Sequence, residues 1–113
     1  MAIIIKTDNP SILLDKIYHG IEQKEISKWL ISSDGRLTYN TLLWKHEAYF
    51  KPEVWVEESE LRFGLIKRKD RKHMPAKQYT HYHTKMVELL LTHFDKEFES
   101  ITATALQTNP DDF

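Results

Sequence analysis

The residues of this 113-residue chain best suited to chemistry are its six histidines. Imidazole ligates metals and exchanges protons near neutral pH. His81 and His83 are two positions apart. On a helix that spacing turns the rings to different sides, so they could not share an ion. On a strand the pair would share a face. No carboxylate follows at a spacing that completes a tetrahedral set, so the expectation is no metal and no cofactor. His46 stands beside Glu47, but adjacent residues of a helix or strand do not converge on one substrate atom. Asp34 sits in a turn and is accounted for by turn chemistry. The chain has three glycines and no phosphate loop, GxSxG, HExxH or EF-hand pattern. It has no cysteine, which excludes a disulfide framework, a thiolate metal site and a cysteine nucleophile together. These residue types point to a protein that binds rather than catalyses.

Two binding chemistries compete with plain structural roles. Lys67, Arg68, Lys69, Arg71 and Lys72 surround Asp70 in the densest charge cluster of the chain, and such a loop could hold anions or phosphates. It lacks the interleaved aromatics of a single-strand reader, and a solvated loop explains it equally. The formal net charge is −1, so nothing draws the whole molecule to nucleic acid, which is not expected as a partner. Trp29, Tyr39, Trp44, Tyr49, Phe50 and Trp55 crowd the middle third. They could line a small-ligand pocket with His46 or His83 as its polar group, or simply fill a core.

The elements that must position these side chains follow from periodicity. Ile3, Ile4 and Ile5 are β-branched, and three in succession suggest a central strand buried on both faces. Asn9-Pro10 suits a helix start, with Asn9 as cap. Leu13, Leu14, Ile17, Tyr18 and Ile21 then make one apolar stripe, while Asp15, Lys16, His19, Glu22 and Gln23 face out. Ser27 to Ser32 alternates. Asp34-Gly35 signals a hairpin leading to Leu37 and Tyr39. Thr41 to Phe50 is ambiguous, either a short helix or irregular, and Pro52 is expected to interrupt any strand. Val54 to Val56 and Leu61 to Ile66 read as a second hairpin. The glutamates 57, 58 and 60 lie at one end of that return strand and the basic loop at the other, ~20 Å away. Ser100 to Leu106 is β-prone, and residues 107–113 read as a loose acidic tail. Strands in runs with helices set apart mean α+β. The expectation is one domain, 1–113, with order β-α-β-β-β-β-α-β. Its mostly antiparallel sheet has about five to six strands and both helices on one face, with the first and last strands pairing.

The long segment Pro75–Phe98 carries the strongest expectation about partners. At ~100° per residue, Tyr79, Tyr82, Met86, Val87, Leu89, Leu90, Leu91, Phe94 and Phe98 fill an arc of roughly 200°, against ~100° for an ordinary surface helix. His83 and His93 fall inside this arc. One side is expected to face the core through Met86, Leu90 and Phe94. The other, through Tyr82, Leu89 and His93, is expected to face a second copy of the chain in a homodimer. Cover by residues 41–52 would explain the same arc.

Composition sets the bounds. The hydrophobic share is 41% and the charged share 29%, as in ordinary soluble domains. No segment approaches the ~20 apolar residues of a membrane span, and the first residues lack the form of a signal peptide. The chain reads as soluble and cytoplasmic, with no membrane partner. The fragments Asp34-Gly35-Arg36-Leu37-Thr38, Trp44 with Phe50-Lys51-Pro52, and Ile101 to Leu106 after Thr92-His93-Phe94-Asp95 resemble small uncharacterised bacterial proteins of accessory and mobile gene cassettes. That resemblance implies no activity, cofactor or site residue.

Overall fold

A computed structural model describes residues 2–41, 48–67 and 76–111. The elements are β1 (Ile3–Lys6), α1 (Pro10–Glu22), β2 (Trp29–Ile31), β3 (Leu37–Tyr39), β4 (Ala48–Trp55), β5 (Glu60–Lys67), α2 (Ala76–Phe94) and β6 (Ser100–Ala103). The six strands form one sheet in the order β2-β3-β4-β5-β1-β6, and every neighbouring pair is antiparallel. The domain is α+β in the expected element order. The first and last strands do pair, with Ile5 opposite Ile101.

Strand alternation sorts the sheet into two faces. Ile3, Ile5, Leu61, Phe63, Leu65, Phe50, Leu37, Tyr39 and Trp29 lie on one face, and all are buried. Both helices pack there, α1 through Leu13, Ile17 and Ile21 and α2 through Tyr82, Met86, Leu89 and Leu90. Tyr82 is the keystone. Its ring meets Phe50 and Trp29 edge-on at 6.1 and 6.3 Å. Its hydroxyl lies 3.2 Å from the Thr38 hydroxyl, so a buried phenol keeps a polar partner.

Three local expectations are corrected. β4 runs through Pro52. Among the described residues β3 pairs with β4 only at Leu37 opposite Phe50, so beyond that point no described strand flanks β4 on that side, and a proline is accommodated there. Asn9 makes no side-chain cap bond to α1; Pro10 at the first helical position begins that helix. The segment expected to be a loose tail is docked through Asp111. It crosses the second face of the sheet at Gly64, and Pro110 is buried. The reason is a place left open before β1, whose first residue, Ile3, lies opposite Phe63. The next outward N–H of β5, on Leu65, donates instead to Asp111 Oδ1 at 2.7 Å, while Oδ2 takes the Thr108 N–H at 2.8 Å.

On the same face Arg62 stacks over Trp55 at 3.7 Å and pairs with Glu60 at 2.9 Å. The Asp34-Gly35 hairpin forms as read, with Gly35 at φ +83° and Ser32 and Arg36 both holding the Asp34 carboxylate.

Candidate binding cleft between the helices

The cleft begins at the end of α1. Gln23 closes the helix and Lys24 takes a left-handed φ of +61°. The Glu25 N–H then reaches back to the Gly20 carbonyl at 2.9 Å and the Lys24 N–H to that of Ile21 at 3.1 Å. This paired closure reverses the chain and turns Ile26 beneath the helix. Gly20 makes room for it. A Cβ there would sit 2.7 Å from Ile26 Cδ1 and 4.0 Å from the Phe94 ring. Gly20, Ile26 and Phe94 thus form an apolar floor where the ends of α1 and α2 meet.

Above that floor opens a cleft of about 500 Å³. One wall is the stripe Ile12, Asp15, Lys16 and His19, spaced three, four and seven along α1 so that all share a face. The other wall is His93 and Glu97 from the end of α2, with Glu25 closing the rim. Ile12 is 52% exposed, an apolar side chain on the face that otherwise carries charge. Lys16 Nζ donates to both Glu97 oxygens at 2.9 Å, tying the two walls together.

The electrostatics have one sign. Asp15 and Glu25 add two carboxylates, and the single lysine of the lining is already paired with Glu97. The C-termini of α1 and α2 both end here, each equivalent to roughly half a negative charge. Next to this wall, the Tyr18 phenol is raised above its ordinary value, first by burial and then by the Asp15 and Asp34 carboxylates. Its hydroxyl donates to the Gly35 carbonyl at 2.6 Å.

The residues singled out from sequence are dispersed. Tyr82 is fully buried and Leu89 is 4% exposed. The long helix is covered by its own sheet, and neither residue can face a partner. Met86 and Leu90 face the core as expected, and Phe94 packs against it. Of the partner-facing set only His93 reaches the surface, and it lines the cleft. The aromatic pocket is not assembled from Trp29, Tyr39, Trp55 and His83. Trp55 lies on the far face of the sheet beside Arg62. Trp29 and Tyr39 pack edge to face at 5.2 Å in the core. The hollow they both touch is about 170 Å³, below the ~300 Å³ of ordinary ligand pockets. His83 is a core histidine, its Nδ1–H donating to the Tyr79 carbonyl at 2.7 Å and its ring edge against Phe50 at 5.5 Å.

His81 and His83 are both on α2 and point to different sides. Lys67 ends β5 opposite Ala48. His46, Trp44, Arg68, Lys69, Arg71 and Lys72 lie outside the described residues.

The cleft residues were not singled out from sequence. Asp15, Lys16 and His19 read as an ordinary solvated helix face. The signal available was Ile12, an isoleucine breaking that face at helical spacing. Among the described residues, no three histidines or carboxylates group to hold a metal ion, and no helix is long and apolar enough to cross a membrane. No protein family, curated protein or solved structure matches this chain.

Proposed function

We propose that this chain is a small binding module whose site is the inter-helix cleft. Its ligand is a small organic cation, an amine or amidine carried on an apolar body. One observation carries the reading: two helix C-termini surround an apolar floor together with Asp15 and Glu25, which have no ion-pair partner among the described residues, while the one described lysine of the lining is occupied by Glu97. A cationic head gains from the carboxylates and helix ends. An apolar body gains by covering Ile12, Ile26 and Phe94, at about 25 cal/mol per Å². His19 and His93 supply ring nitrogens for orientation. The volume, about 500 Å³, falls within the ordinary ligand range of ~300–1,000 Å³.

The test is a titration of isotope-labelled protein, followed by amide NMR shifts, with matched aryl-alkyl amines, alcohols and carboxylates. The amines should shift Gly20, Ile26, His93 and Phe94, and the carboxylates should leave them unmoved. Asp15→Asn or Glu25→Gln should each weaken the amine by up to about fivefold, the ~1 kcal/mol ceiling of a solvent-exposed ion pair. A panel that leaves these four residues unshifted throughout would remove the cleft as the site.

A further inference from the structure

We infer that β6 is a homotypic docking edge, through which two copies of this chain join their sheets about a two-fold axis at Thr102. β6 is a terminal strand of the sheet. The Thr104 N–H donates to the Ala2 carbonyl at 2.9 Å, which makes Thr104 and Ala2 a hydrogen-bonded pair in the register that also sets Ile4 opposite Thr102. Antiparallel ladders alternate, so the N–H and C=O groups of Ile101 and Ala103 point away from β1, to the open side.

Natural edges are blunted by lysine, proline, bulges or brevity. The other terminal strand, β2, is three residues long and is entered from Lys28 at a left-handed φ of +68°. β6, Ser-Ile-Thr-Ala, is one residue longer and has no charge and no proline.

The occupant is a second copy because the edge complements itself. An antiparallel partner centred on Thr102 sets Ile101 against the partner's Ala103, large against small, on the helix side of the sheet. Both are outward-pointing positions, so the two symmetric pairs close four backbone bonds. On the other side Thr102 meets Thr102 and Ser100 meets Thr104, hydroxyl-bearing pairs of the kind that stabilise cross-strand neighbours. Ser100–Ala103 carries no charge, so no like charges face one another across the axis. The interface is isologous, as a closed dimer requires.

The test is solution mass by light scattering over a concentration series, on the wild type, Thr102→Lys, Thr102→Glu and Ala103→Pro. Thr102 and Ala103 are exposed, so these changes leave the core untouched, and matching near-ultraviolet circular dichroism verifies that. The wild type should reach dimer mass as concentration rises. Each single variant should stay monomeric, because like charges meet on the axis or the outward N–H is lost. An equal mixture of the lysine and glutamate variants should recover the dimer. A wild type that remains monomeric at every concentration overturns the inference. So does a dimer that survives Thr102→Lys and Ala103→Pro alike, which places the contact elsewhere. A monomeric wild type whose β6 amides shift on adding an extended peptide would assign the edge to a different partner.

Discussion

His81 faces Tyr39 edge-on at 5.2 Å and Tyr82 at 6.4 Å. Burial, and then the ammonium of Lys85 one turn along α2, hold its imidazole below the ordinary histidine value. The sign of the linkage follows. The unfolded chain takes up a proton near pH ~6.5 that the folded chain refuses, so the unfolded state binds more protons below that pH. The contribution of His81 to stability is fully present above the ordinary histidine range and is lost as pH falls below it. Urea midpoints should therefore drop between pH 7.5 and pH 5.5, and His81→Gln should drop less than the wild type. Equal drops in the two proteins would show that other groups carry the acid sensitivity.

At the scale of the element, α2 has an apolar arc wide enough to suggest a second chain, yet its own sheet covers most of it. The curved layer of Trp29, Tyr39, Phe50 and Phe63 reaches Tyr82, Met86, Leu89 and Leu90 together, leaving Leu91 at 53% exposure as the main apolar remainder. Leu89→Ala should therefore destabilise the domain by ~2–5 kcal/mol, as core truncations do, and Leu89→Asp should abolish cooperative unfolding followed by circular dichroism. A folded Leu89→Asp protein with altered oligomeric mass would instead place Leu89 at an interface. The elements themselves were legible because local chemistry agrees with the final fold. Three isoleucines keep β1 off the edge of the sheet, although Ile4 on the second face is only half-buried; Asp34-Gly35 makes a hairpin, and the helical stripes of α1 and α2 face the sheet. The course of β4 through Pro52 was not legible, because it depends on where β3 stops. The cleft was not legible either. Its floor joins Gly20, Ile26 and Phe94, residues that only the reversal at Lys24 brings together, and its charge depends on two helix ends meeting.

At the scale of the whole molecule, the sheet has two faces, and the two helices among the described residues both lie on the same side. The second face is partly closed by residues 104–111, and Gly64 is where that closure is tightest. A Cβ on Gly64 would lie 2.4 Å from the Pro110 carbonyl carbon and 2.6 Å from the Asp111 nitrogen. Both are backbone atoms, so no side-chain rotation relieves the clash, and Gly64→Ala must lift the tail. Lifting it releases the two bonds that tie the tail to β5, Leu65 N–H to the Asp111 carboxylate at 2.7 Å and the Arg62 guanidinium to the Asn109 carbonyl at 3.2 Å, at about 0.5–1.5 kcal/mol net for each. Against this, alanine in a strand recovers about 0.5–1 kcal/mol of the entropy glycine loses on folding. Gly64→Ala should thus destabilise the full chain modestly in urea. In a chain ending at Leu106, already without the tail, the same substitution should be neutral or slightly stabilising. That change of sign is a coupling between two sites far apart in sequence, and it separates tail docking from any local effect of Gly64 on β5. Equal destabilisation in the full and shortened chains would mean that the tail contributes nothing to closing the sheet.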